Sequence, residues 1–164
     1  MKIGIISDTH DAHENICKVV EILNNRKVDF VLHAGDIISP FAAKAFAEVD
    51  GAEFIAVFGN NEGEKLFVKD VIEEFGGQIH EYAYKGTIGG RKIFMTHVPT
   101  AIEEVIASGK YDLVVYGHTH KQDIRKVGET LVVNPGEATD WLTGSSALVV
   151  VESDDLSYEV VPIE

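Results

Sequence analysis

The stretch "YDLVVYGHTHKQD", residues 111–123, puts two histidines one residue apart at the end of an apolar run. Leu113, Val114, Val115 and Tyr116 are apolar and partly β-branched, as an interior strand requires. Gly117 ends the run. If the chain stayed extended beyond it, His118 and His120 would point the same way, because strand side chains alternate with period two. Two imidazoles converging on one point suggest a metal, whereas the same pair on a polar loop would be ordinary surface. What the other strands carry at their ends decides between the two.

Reading outward, the first half alternates strand and helix. Lys2–Ile6, Phe30–Leu32 and Phe54–Phe58 read as strands. Between and after them come helices over His13–Asn24, Pro40–Val49 and Lys65–Phe75. The first carries Ile16, Val19, Val20 and Leu23 on one face, and Pro40 suits the first turn of the second. Such alternation predicts βαβ units and a mainly parallel sheet. The second half is richer in strands. Gly89-Gly90 between Tyr82–Ile88 and Arg91–Met95 is a hairpin signal. A helix over Ala101–Ala107 and strands at Asp123–Val127, Thr130–Val133, Ala147–Val151 and Tyr158–Val161 follow. The organisation thus changes from parallel-type to antiparallel-type partway along, which two face-to-face sheets with helices outside would accommodate.

The polar residues that matter follow strands, where open α/β sheets place ligand sites. "SDTH" brings Asp8 and His10, "HAGD" brings Asp36, "GNNE" brings Asn60, Asn61 and Glu62, "THVP" brings His97, and "GHTH" brings His118 and His120. Each fragment alone has a plain structural explanation, such as a helix cap or a turn. Setting Asn61 and Glu62 aside, they deliver two carboxylates, four imidazoles and an amide to one sheet end. That donor set suits Mn, Fe, Co, Ni or Zn better than Ca, and it lacks the thiolates of a structural zinc site. Seven ligands exceed one ion. Shared between two ions about 4 Å apart, they match the arrangement that activates a hydroxide and clamps a phosphoryl group.

In order and spacing, "DTH", "GD", "GN", a later lone histidine and "GHTH" resemble the calcineurin-like metallophosphoesterases. The short chain and "NPGE" at 134–137 look most like the small bacterial and archaeal phosphodiesterase branch. The resemblance spans essentially the whole chain and implies an α/β fold, a four-layer α/β/β/α sandwich of two mixed sheets flanked by helices. It implies that Asp8, His10 and His120 hold one metal, Asn60, His97 and His118 the other, and that Asp36 bridges both. It further implies metal-dependent hydrolysis of phosphodiesters by a hydroxide bridging the two ions. Mn²⁺ is the first-choice cofactor, with Ni²⁺, Co²⁺, Fe²⁺ or Zn²⁺ as alternatives. Asp36, Asn61, His97 and His118 form the expected catalytic group. The alternative is a non-catalytic metal-binding scaffold or regulatory protein of the same fold.

The sequence departs from the family pattern twice. Where many members have a proton-donating histidine after Gly-Asn, this chain has Asn61, which can hydrogen-bond a phosphate oxygen but cannot act as an acid. Where small relatives often read His-Gly-His, it has His97-Val98-Pro99, which reshapes the rim. His13 is a replacement acid or, as we favour, a helix-start residue. His33 and His80 are expected to be structural, and Cys17 a buried or half-buried filler. "GNNEGEKL" is not a phosphate-binding P-loop, because Glu64 precedes Lys65 and Leu66 stands where a Ser or Thr would hold magnesium.

A length of 164 residues suits one domain, 1–164. A net charge of -13 opposes long nucleic acid and anionic membranes, so a small phosphodiester is the expected partner. Two divalent ions would leave the site locally positive despite that charge. No apolar stretch approaches the roughly 20 residues of a membrane span, and the apolar run before Asp8 is too short for a secretory signal. The expected location is the cytoplasm. Exposed strand edges admit a homodimer.

Overall fold

A computed structural model describes all of residues 1–164 and contains eleven strands and four α-helices. The first sheet is built from β1 (Lys2–Ile6), β2 (Phe30–His33), β3 (Glu53–Val57), β4 (Gln78–His80), β10 (Ala147–Glu152) and β11 (Tyr158–Pro162). Its order is β11-β10-β1-β2-β3-β4, parallel from β1 to β4 and antiparallel at the β10–β11 side. The second holds β5 (Ala83–Ile88), β6 (Arg91–Thr96), β7 (Leu113–Val115), β8 (Asp123–Val127) and β9 (Thr130–Asn134). Its order is β5-β6-β7-β9-β8, with β6, β7 and β9 parallel and the two outer strands antiparallel.

Strand periodicity sorts the apolar side chains into three layers of contact. Ile3, Ile5, Leu32, Ile55 and Val57 face Ile93, Met95, Leu113, Val115, Leu131 and Val133 between the sheets. The alternate residues Val31, Phe54 and Ala56 face α1 (His13–Arg26), α2 (Pro40–Ala45) and α3 (Lys65–Glu74). Phe94, Val114, Tyr116 and Val132 face α4 (Ile102–Ala107) on the far side. The result is the expected four-layer sandwich. Gly4 shows how closely α1 lies on the sheet, since a Cβ there would meet Leu23 Cδ2 at 2.4 Å.

Several details differ from the expectations. Parallel pairing does not stop halfway along the chain; each sheet has a parallel centre with antiparallel strands beside it. Strand spacing could not reveal this, because β10 and β11 return to the first sheet. The β4 strand, absent from the reading above, has three residues, too few to show a period. The helix from Pro40 ends at Ala45 and passes into a 3₁₀ turn over Phe46–Glu48. Cys17 is exposed rather than buried, on the side of α1 away from Ile16 and Val19. The β5–β6 turn is as expected, with Gly89 and Gly90 at φ 55° and 80°, suited to a tight hairpin. No helix is long and apolar enough to cross a membrane.

Candidate metal centre

The C-terminal ends of parallel strands from both sheets meet at one edge of the sandwich. There the loops are tied to one another before any ligand is considered. Asp8 N–H donates to Gly35 O at 3.0 Å, His10 N–H to Asp36 O at 2.9 Å, and Gly117 N–H to His97 O at 3.1 Å. The first two bonds join the loops after β1 and β2, and the third joins those after β6 and β7. His33 adds a stitch from within the core. Its Nδ1 accepts from Gly35 N–H at 3.1 Å, so its protonated Nε2 donates to Thr9 Oγ1 at 2.9 Å. Burial, with the charge of His97, pushes His33 down to about 3, so it stays neutral.

All seven candidate ligands come together. The ligand atoms of Asp8, His10 and His120 lie within 4.8 Å of one another, and so do those of Asp8, Asp36 and His97. Asn60 Oδ1 joins the second group, 2.9 Å from His97 Nε2 and 2.7 Å from His118 Nδ1. Asp8 is thus common to both groups, and Asp36 Oδ1 stands 3.4 Å from His97 Nε2. The extended path imagined past Gly117 is not followed. His118 and His120 adopt left-handed φ of 68° and 59°, and they reach different groups. Asp8, His10 and Asp36 are left-handed too, at φ 53°, 46° and 60°. Each such residue costs of order 1 kcal/mol, and strain of this kind collects at functional sites.

Hydrogen bonding fixes which ring nitrogens face inward. His97 Nδ1 donates to Ala34 O at 2.7 Å, so the Nε2 of the neutral ring carries a bare lone pair toward Asn60 Oδ1. His120 Nδ1 donates to Glu137 Oε2 at 3.0 Å, leaving Nε2 bare 3.4 Å from Asp8 Oδ1 and 3.4 Å from His10 Nε2. Asp8 Oδ1 is buried with no hydrogen-bond partner. With the neutral His97 ring, acceptors meet at Asp8 Oδ1 and at the His97 Nε2–Asn60 Oδ1 contact, and a cation is a group that satisfies them. A proton is the substitute: burial opposes charge on His97, but the hydrogen bond and charge of Asp36 outweigh it and raise its pKa. Burial likewise pushes Asp8 up. On Asp36 burial is outweighed by His97 and by two donors from Asn61, and its pKa falls.

Two buried residues beyond the expected set organise the centre. Glu137 ties down His120 and also accepts from Thr139 Oγ1, Thr143 Oγ1 and the N–H groups of Leu142 and Thr143. These bonds, with the His120 contact, outweigh burial and hold its carboxyl down at about 2. Asn134 donates to Gly117 O and Thr119 Oγ1 across the loop carrying His118 and His120. Both belong to "NPGE", which starts at the last residue of β9, a further parallel strand ending at this edge. The signal was the same one that found the others, a polar cluster after a strand. Asn61 is exposed but tied to the centre: its Nδ2 donates to Asp36 Oδ2 at 2.7 Å and its N–H to Asp36 Oδ1 at 2.9 Å.

Residues 1–155 match the family model of the calcineurin-like phosphoesterase superfamily domain. The chain belongs to this superfamily. It is therefore a hydrolase of phosphoesters. A phosphodiesterase of Methanocaldococcus jannaschii is 38% identical over 167 residues, covering the whole of both chains. The solved structure of an archaeal phosphodiesterase has a TM-score of 0.93 at 38% identity over 99% of each chain. Vps29 of Entamoeba histolytica shares the fold, with a TM-score of 0.69 at 18% identity over all of both chains. The phosphoesterase fold thus places metal-competent side chains at the sheet edge where the sequence motifs fall.

Proposed function

We propose that the protein is a metal-dependent phosphodiesterase acting on small phosphodiesters through two divalent ions, Mn²⁺ being the first choice. Asp8, His10 and His120 would hold one ion, Asn60, His97 and His118 the other, and Asp36 both. The observation that carries the reading is the buried, unpartnered Asp8 Oδ1 in a cluster of His120 Nε2 and His97 Nε2, whose Nδ1 atoms are engaged by Glu137 and the Ala34 carbonyl. The relationship to a phosphodiesterase at 38% identity supports the substrate class. When bound, the ions would polarise the phosphoryl oxygens and lower the pKa of water toward neutrality.

The protein's own residues then have separable tasks. Glu137 and the Ala34 carbonyl hold the His120 and His97 rings with Nε2 inward, as metal-ligating histidines require. Asn61 holds both oxygens of Asp36, which fixes the carboxylate beside His97. With its amide engaged there, Asn61 gives the leaving group no proton. The reaction therefore relies on an ester whose alcohol leaves readily.

The test is to strip the protein of metal, restore Mn²⁺, and follow hydrolysis of bis-p-nitrophenyl phosphate beside an Asp36→Asn variant. Metal-dependent turnover in the parent and near-zero turnover in the variant is the expected outcome. No turnover by the folded, loaded parent with Mn²⁺, Ni²⁺, Co²⁺ or Zn²⁺ would instead favour a metal-binding scaffold or regulatory protein.

A further inference from the structure

Beside the metal centre the structure carries an aromatic surface that the chemistry above does not use. The His120 and His10 rings stack at 5.2 Å between centroids, and the Trp141 indole continues the stack at 5.8 Å from His10, tilted by 30°. Trp141 is the only tryptophan in the chain, yet it is 61% exposed, and its neighbour Leu142 is 73% exposed. Two large apolar side chains kept in water next to a catalytic centre call for an occupant. Their loop is not loose. Leu142 and Thr143 N–H groups both donate to the buried Glu137 carboxylate, which also holds His120. One carboxylate therefore sets the position of a metal-ligand ring and of the indole-bearing loop together. A platform fixed in advance loses little freedom when something stacks on it.

We propose that Trp141 is a specificity-determining residue whose indole receives the planar ring of one ester arm. The substrate is then a phosphodiester carrying a nucleobase or comparable aromatic group, an inference that rests on the phosphodiesterase reading. Every base has a π-face, so stacking on an aromatic side chain tolerates base identity. The net charge of -13 restricts the occupant to a short, singly stacked arm rather than a long strand. His10 touches both the indole and the metal-ligand cluster, so the stacked ring and the phosphoryl group would sit on neighbouring parts of one surface.

The experiment uses the Mn²⁺-loaded protein with two probes that differ only in the base, adenosine 5′-monophosphate and ribose 5-phosphate. Their affinities are measured by calorimetry, and the emission of the sole tryptophan reports contact. Adenosine 5′-monophosphate should quench the emission and bind at least about 5-fold more tightly than ribose 5-phosphate. In Trp141→Ala the two affinities should converge, with Mn²⁺ content unchanged, and Trp141→Phe should keep most of the difference. Equal affinities in the parent, no binding of either probe, or discrimination that survives in Trp141→Ala would overturn the proposal. So would loss of Mn²⁺ from Trp141→Ala, which would make the indole a prop for His10. Hydrolysis of bis-p-nitrophenyl phosphate by the parent tests the phosphodiesterase reading separately, since the discrimination is read without turnover.

Discussion

Replacing Gly59 by alanine should disable the metal centre, whereas the same change at Gly63, four residues later, should leave it intact. A Cβ on Gly59 would lie 2.0 Å from Asp36 Oδ1, 2.8 Å from its Cγ and 2.5 Å from its backbone nitrogen. Ordinary contact begins near 3.4 Å, so Oδ1 would have to retreat by 3.4 less 2.0, about 1.4 Å. Rotating the carboxylate alone is no escape, because the backbone nitrogen is also too close. Gly59 does not occupy the left-handed region, so the effect is steric and not a matter of φ. Displacing a group at the reacting centre by about 1 Å costs about 100-fold in rate. Overpacking costs about 1–3 kcal/mol, which lowers Tm by about 3–10 °C in a domain of this size. At Gly63 the nearest atom is Ile38 O at 3.7 Å, an ordinary contact. Mn²⁺ titration, bis-p-nitrophenyl phosphate turnover and thermal unfolding of both variants make the comparison. Parental Mn²⁺ stoichiometry and turnover in Gly59→Ala would refute the reasoning.

Three further outcomes follow from the same geometry. Glu137→Gln weakens the charged partner of His120 Nδ1 and should lower Mn²⁺ affinity about 10- to 100-fold by calorimetry; an unchanged affinity would remove Glu137 from the centre. His33, held at about 3, refuses a proton that the unfolded chain accepts near its ordinary 6.5. Stability of the metal-free protein should therefore fall as pH drops from about 6.5 toward 3, and less steeply in His33→Gln; equal slopes in a pH series of melts would contradict this. Because Asn61 cannot donate a proton as an acid, aryl phosphodiesters should turn over much faster than alkyl ones, and equal rates with chemistry limiting would sink that expectation.

The fold was legible wherever apolar period matched element length. Ile16, Val19, Val20 and Leu23 marked the buried face of α1, and the short apolar runs marked β2, β3 and β7. Sheet membership was not legible, because β10 looks like any other apolar strand and only tertiary pairing sends it back to β1. The candidate metal centre was legible because each candidate ligand follows a strand, and neighbouring parallel strands end at one edge. What stayed hidden was the shell that aims the ligands. Ala34 acts through a carbonyl, which no side chain advertises. The "NPGE" cluster pointed to Glu137, but its partner, and that of His33, lie 17 and 24 residues away in sequence, and no local pattern names them.

The hidden shell also explains why so strained an arrangement persists. Five of the seven ligand candidates sit at left-handed φ, and Asp8 Oδ1 among them is buried without a donor. In isolation each loop would relax by turning to an ordinary conformation. None can do so alone. Asp8 N–H is bonded to Gly35 O, His10 N–H to Asp36 O, Gly117 N–H to His97 O and His118 N–H to Asp8 Oδ2. A Cβ on Gly117 would lie 1.9 Å from Ser7 Oγ, and one on Gly35 would lie 2.7 Å from His97 Nδ1. The glycines thus mark where one loop presses against the ligand of another, and moving any loop moves a neighbour. The two packed sheets beneath supply the rigidity that holds this interlock. A cation entering the site meets lone pairs already aimed inward, so its binding energy goes to the fold and the chemistry rather than to organising the ligands.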